Sequence, residues 1–170
     1  MTLLDLTPRQ VLRVAGDSLP ALYRRRLSGF DYGPGVFKMD WALSEPVPWR
    51  ASACAMSATV HLAGTMREVS ESQRNPLRGE HSARPYVLFT QPSLADPSRA
   101  PPGKHVAWAY CHVPNGSSFD MSARIEAQIE RFAPGFRDVI LARHVMTPGG
   151  FEAHNPNMIG GDIGGGAKTL

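Results

Sequence analysis

Between Val36 and Leu43 the chain alternates. Phe37, Met39, Trp41 and Leu43 interleave with Val36, Lys38, Asp40 and Ala42, the period-two pattern of a strand with one buried face. Glu45-Pro46-Val47-Pro48 ends it, because proline cannot donate to a sheet ladder. Shorter runs predict strands over Ala58–Ala63, Tyr86–Thr90 and Val139–Met146. His105–Val113 is apolar on both sides, with Val106, Trp108 and Tyr110 against Ala107, Ala109 and Cys111, which predicts a central strand.

Helical spacing appears elsewhere. Thr7 is placed to cap and Pro8 to open a first helix, whose stripe of Val11, Leu12 and Ala15 ends at Gly16. A second helix is predicted from Ser18-Leu19-Pro20 to Leu27, stopped by Gly29. Thr65–Gln73 reads as a polar helix. Asp120 opens an amphipathic one, in which Met121, Ile125, Ile129 and Phe132 share a face while Arg124, Glu126, Glu130 and Arg131 lie elsewhere on its surface. Thr147-Pro148 caps a short last helix. Strands and helices do not alternate strictly, so the predicted class is α+β: a mixed, mainly antiparallel sheet of about five strands covered on one face by helices. Residues 1–159 read as one domain. Residues 160–170, with five glycines between Gly160 and Gly166, read as a tail that is disordered in an isolated chain.

Composition narrows the class without naming a chemistry. The 170 residues are 42% hydrophobic and 19% charged, a globular rather than a disordered balance. No apolar run reaches the ~20 residues of a membrane span, and the start lacks the pattern of a secretory signal. The expectation is a cytoplasmic chain. A net charge of +3 is too small and too evenly spread for a nucleic-acid surface; Arg24-Arg25-Arg26 reads as a solvated helix face. Cys54 and Cys111 show no CxxC spacing, so neither a zinc site nor a disulfide framework is indicated, and the histidines show no metal-binding pairing. No metal site is expected.

Among candidate motifs, the glycine tail fails as a phosphate loop. Ala167 separates Gly166 from Lys168, and no helix N-terminus follows. No G-x-S-x-G elbow is present. Cys111 and His112 are neighbours on a strand and point to opposite faces, so they form no nucleophile–base pair. Lys38 stands out, because the chain has 18 basic residues and only three are lysine. Mid-strand beside Asp40, it reads either as a solvent-facing partner of that aspartate or as a compact ammonium that arginine could not replace.

Four blocks carry a family resemblance: Tyr32–Leu43, Gly103–Pro114, Ile125–Phe136 and His154–Gly166. Together they resemble the phytoene-desaturase-like FAD-dependent oxidoreductases, and within them the pyridine nucleotide-disulfide oxidoreductase domain-containing protein 2 group. The resemblance runs over essentially the whole chain. Members of that family are longer, with a Rossmann-type FAD domain before this region and a second flavin-contacting segment after it; the present chain resembles their substrate-binding part. The implied reaction of the complete enzyme is hydride transfer from an apolar or amine substrate to FAD, with no flavin held by this chain alone. In related flavin amine oxidases a lysine on a comparable strand reaches the reactive flavin nitrogen through water. The resemblance gives Lys38 that catalytic role, although Gly35 precedes it by three residues where that pattern has four. It further implies substrate-facing Asp40, His61, Tyr110 and His112, and cofactor contacts from Gly160, Gly161, Asp162 and Gly164 in a complete enzyme. Apolar surface near Val60, Leu62 and Trp108 is then expected to be covered by a second copy or by a complementing FAD-domain chain. The alternative is a non-catalytic remnant acting as a binding or oligomeric interaction module.

Overall fold

All five strands form within one residue of the bounds read from alternation. The structure, a computed structural model, describes residues 3–167. In chain order it contains α1 (Pro8–Ala15), α2 (Ala21–Ser28), β1 (Gly35–Leu43), β2 (Thr59–Leu62), α3 (Met66–Arg74), β3 (Val87–Thr90), α4 (Pro92–Ala95), β4 (His105–Val113), α5 (Ser122–Glu130), β5 (Ile140–Met146) and α6 (Pro148–His154). The strands make one sheet in the order β2-β3-β4-β1-β5. Every pair among the described residues is antiparallel.

The core lies on one face of this sheet. Phe37, Met39, Trp41 and Leu43 are buried, as alternation requires. Their partners across the β1–β4 ladder are small: Cys111 opposes Phe37, Ala109 opposes Met39 and Ala107 opposes Trp41. Large side chains beside small ones leave room for a helix to pack at close density. Helix α5 fills it with Ile125 and Ile129, flanked by Met121, Ala133 and Phe136. Trp41 meets the Phe136 ring edge-on at 5.3 Å and stacks with Phe89 at 6.0 Å.

Several local expectations change. The second face of β4 is half-buried rather than buried, so Trp108, Tyr110 and His112 stay partly accessible. Glu126, expected on the surface of α5, is buried; it accepts from Trp41 Nε1 and pairs with Arg137 and Arg143. Thr7 occupies the α1 N-cap, but its hydroxyl accepts from Tyr32 Oη rather than capping the helix. Asp120 accepts from Ser122 N, just ahead of the first turn of α5. Thr65 and Thr147 do cap, accepting from Glu68 N and Gly150 N.

The apolar surface also lies elsewhere than expected. Leu62 is buried, Val60 packs on the core and Trp108 is half-buried. The exposed apolar residues instead include Leu3, Leu4, Val14, Leu22 and Tyr23, on and before α1 and α2, two helices without a single buried residue on α1 or α2. No helix among the described residues is long and apolar enough to cross a membrane.

Candidate functional site

The sheet face opposite the core carries Lys38, Asp40, His61, Tyr110 and His112. Register places His61, Leu88, Tyr110, Lys38 and Met146 in one rung across the five strands. A neighbouring rung holds Thr59, Thr90, Trp108, Asp40 and His144. Thus Lys38, Asp40, His61 and Tyr110 share a face because each occupies the same parity of its strand.

Their contacts divide them into two groups. Lys38 Nζ hydrogen-bonds Asp40 Oδ1 and lies 5.4 Å from the Trp108 ring centre. His144 Nδ1 is 3.7 Å from the other oxygen of Asp40. His61 Nδ1 hydrogen-bonds the Tyr86 hydroxyl. Trp108 and Tyr110 lie nearly parallel, at 10° and 6.4 Å, and His112 meets Tyr110 edge-on at 6.0 Å. This aromatic row leads from the Lys38–Asp40 pair to a cavity.

The cavity encloses about 450 Å³ and opens where β4 meets the glycine-rich segment. Tyr110 and His112 form its sheet wall, Gln73 and Leu77 its α3 side, and Asp162, Ile163, Gly164 and Gly166 its opposite rim. His112 Nδ1 lies 2.9 Å from Gln73 Oε1; an amide oxygen only accepts, so Nδ1 carries the proton. Four predicted residues therefore meet here: Tyr110, His112, Asp162 and Gly164. Lys38, Asp40 and His61 share the sheet face without lining the cavity.

The glycine-rich segment is buried over Gly160–Asp162, exposed over Ile163–Gly165 and half-buried at Gly166 and Ala167; residues 168–170 lie outside the described residues. Asp162 is only 3% exposed and accepts from Gly33 N and Gly164 N, both at 2.7 Å. Asn115 Nδ2 donates to the carbonyls of Gly33 and Ile159. Gly160 and Gly161 are buried at positive φ, 59° and 81°. A Cβ on Gly160 would collide with Asn115, and one on Gly161 with Pro148. Their lack of side chains is thus used internally, to let Asn115 and Pro148 approach the backbone closely. The segment is not a phosphate cradle, because the Asp162 carboxylate already takes backbone N–H groups that a phosphate would need and would repel that anion.

One thiol and one further histidine lie apart from this site. Burial pushes the Cys111 thiol up to about 12, despite nearby Arg124, and removes it from thiolate chemistry. His81 is held below the usual imidazole range by burial and then by Arg124, and its Nε2 sits 2.7 Å from Ser117 Oγ. Among the described residues no cluster of three His, Cys, Asp or Glu could hold a metal.

Gln73, Leu77, Pro34 and Ile163 carry no signal in the sequence that marks them as site residues. The pattern around Gln73 predicts only a polar helix, and nothing in one dimension joins it to His112. The signal that was available is Asp162 within a run of glycines, a carboxylate where the chain otherwise has only backbone to offer.

No protein-family model matches the chain. Over 190 aligned residues it is 26% identical to pyridine nucleotide-disulfide oxidoreductase domain-containing protein 2 of Mus musculus, and equally to that of Rattus norvegicus. The match takes in 100% of this chain and 31% of each relative, so the chain spans about a third of their length. An oxidoreductase from Methanosarcina mazei shares the fold, with a TM-score of 0.51 at 17% identity, over 82% of this chain and 29% of that one. In sequence along its whole length, and in fold along most of it, the chain is similar to part of an oxidoreductase.

Proposed function

We propose that this chain is the substrate-binding part of an FAD-dependent oxidoreductase of the phytoene-desaturase-like type. The cavity beside Tyr110 and His112 receives the substrate, and the flavin is held mainly by a dinucleotide-binding part, in the same polypeptide or a complementing chain. The observation that carries the reading is convergence: a strand, a helix and the glycine-rich segment, separated widely in sequence, build one cavity on the open face of the sheet. The whole-length similarity to an oxidoreductase supports the same reading.

The residues present fit one wall of a flavin site and no more. Gly164 and Gly166 leave backbone rather than side chain at the rim, which suits the edge of a planar ring. With only antiparallel pairing among the described strands, no βαβ unit is present there to seat a pyrophosphate. FAD, when bound, supplies the two-electron acceptor. This chain's residues orient the substrate: Tyr110 offers a flat apolar surface and Gln73 holds the His112 ring through its Nδ1, while Lys38 stays outside the cavity, paired with Asp40. The exposed apolar residues of α1 and α2 support an association with a second copy or with the complementing chain.

The test is a titration with FAD followed by amide NMR shifts. The expected result is weak binding that moves Gly164, Gly166, Tyr110 and His112, while the purified chain stays colourless after gel filtration. Shifts that avoid the cavity rim, or flavin absorbance retained through gel filtration, would overturn the proposal.

A further inference from the structure

The hydrogen bonds that seat the glycine-rich segment also guard a reactive peptide. An asparagine loses its amide when the backbone nitrogen of the next residue attacks the side-chain Cγ, so that neighbour must carry an N–H and leave the approach clear. The chain has four asparagines. Asn75 and Asn155 precede proline, which has no N–H to attack with, and Asn157 precedes the bulky Met158. Only Asn115 precedes glycine, Gly116, whose missing side chain leaves the approach open.

In the fold both reacting groups are held. Gly116 N donates to Gly160 O at 2.8 Å. Asn115 Nδ2 donates to Gly33 O at 2.8 Å and to Ile159 O at 2.9 Å. The attacking nitrogen and the leaving amide are thus committed to neighbouring backbone, and ring closure breaks all three bonds. A Cβ built on Gly160 would lie 1.9 Å from Asn115 Oδ1, so the amide rests directly against the segment. Asn115 is itself exposed, so water reaches it and the restraint is the segment rather than burial.

We infer that Asn115 is a site of spontaneous deamidation gated by the glycine-rich segment, closed while Ile159 and Gly160 are seated and reactive when they lift. A solvent base takes the Gly116 amide proton, the N–Cγ bond forms, the Cγ–Nδ2 bond breaks, and the amide leaves as ammonia after taking a proton from water. Water then opens the cyclic imide at either carbonyl, giving aspartate or isoaspartate. The product is a carboxylate facing the two carbonyl oxygens that the amide had joined, with no N–H to offer either. The same segment supplies the cavity rim through Asp162, Ile163 and Gly164, so conversion unseats one wall of the cavity. This chemistry is independent of what the cavity binds.

The experiment ages the purified chain in mildly alkaline buffer, folded and in urea, and follows the amide-to-acid mass change in the peptide that contains Asn115. A modification that needs local opening tracks the population of the open form. The expected result is conversion at least about tenfold slower in the folded chain than in urea, with aspartate and isoaspartate both found at position 115. Gly161→Ala sets a Cβ 2.6 Å from Pro148 Cα without touching Asn115, and should speed the folded-state reaction at least about threefold. Ile129→Val loosens the core instead and should leave the rate within about twofold, because the segment opens without global unfolding. Equal rates folded and in urea, no acceleration by a folded Gly161→Ala, or equal acceleration by both variants would each overturn the inference. If Gly161→Ala fails to fold, the unaltered protein and Ile129→Val decide it. Asn115→Asp supplies the product directly: its Gly116 amide should exchange with deuterium at least about tenfold faster than in the unaltered protein, and unchanged exchange would refute the unseating of the rim.

Discussion

Removing the charge of Glu126 should destabilise the fold measurably. This carboxylate is 8% exposed and accepts from Trp41 Nε1 at 3.2 Å, from Arg143 Nε at 2.5 Å and from Arg137 Nε at 3.3 Å. Glu126→Gln keeps an acceptor for the indole but leaves both arginines without their anion. Breaking a fully buried pair costs about 3–5 kcal/mol. Here both arginine side chains are 46% exposed and can rehydrate, so we expect a loss of about 2 kcal/mol, near the middle of the range for charge-assisted hydrogen bonds. In a protein of this size that lowers Tm by about 4–8 °C. Glu126→Ala should cost about 1–2 kcal/mol more, because the buried Trp41 N–H then lacks a partner.

Acid should erase the difference. Burial pushes the Glu126 carboxyl up, but Arg143, Trp41 and Arg137 outweigh it and hold the group below its ordinary 4.5. A folded-state value below the unfolded one means stability present above that ordinary value and lost as pH falls through the depressed one. Urea denaturation across an acid series therefore provides the assay. The wild-type advantage over Glu126→Gln should be full near neutrality and decline on the acid side. A difference under about 0.5 kcal/mol at neutral pH, or one that stays constant into acid, would refute the reasoning.

Three further outcomes are expected. Gly35→Ala would put a Cβ 2.4 Å from the Gly160 carbonyl oxygen, and overpacking of that kind should cost about 1–3 kcal/mol in urea denaturation; an unchanged midpoint would show that the glycine-rich segment yields. In the native protein a thiol reagent should modify Cys54, which is partly exposed, and spare the buried Cys111 until denaturant is added; rapid labelling of both would contradict the packing. If the α1–α2 surface mediates self-association, light scattering should show the purified chain above monomer mass, and Leu22→Glu with Tyr23→Glu should return it to monomer; a wild-type monomer at high concentration would exclude a second copy as the cover.

Much of the architecture is legible in one dimension because its determinants are local. Phe37, Met39, Trp41 and Leu43 announce a half-buried strand, and Met121, Ile125 and Ile129 announce a helix that needs a surface to cover. The side of the sheet that carries Lys38 follows from the same parity. What resists reading is convergence. Gln73 and His112 are 39 residues apart, and Asp162 finds Gly33 across 129. Periodicity carries no information about such pairs. Glu126 misleads for a related reason: a glutamate on a helix normally faces water, and only the tertiary arrival of Trp41, Arg137 and Arg143 makes its burial tolerable. The α1–α2 pair shows the converse, since helical spacing predicts the helices but not what covers their apolar residues.

The position of β1 between β4 and β5 has a consequence for synthesis. β1 is the first strand to be translated, yet both of its neighbours come later, beginning at His105 and Ile140. At about 5–20 residues per second, the ribosome reaches the start of β4 about 3–12 s after finishing β1, and only then can the Phe37–Met39–Trp41–Leu43 stripe begin to be paired. During that interval the nascent chain presents an unpaired strand edge with four large apolar side chains, while β2 and β3 can already close their hairpin alone. A strand held between two neighbours is thus the part left waiting longest, and its safe passage depends on translation speed and on whatever shields a nascent strand.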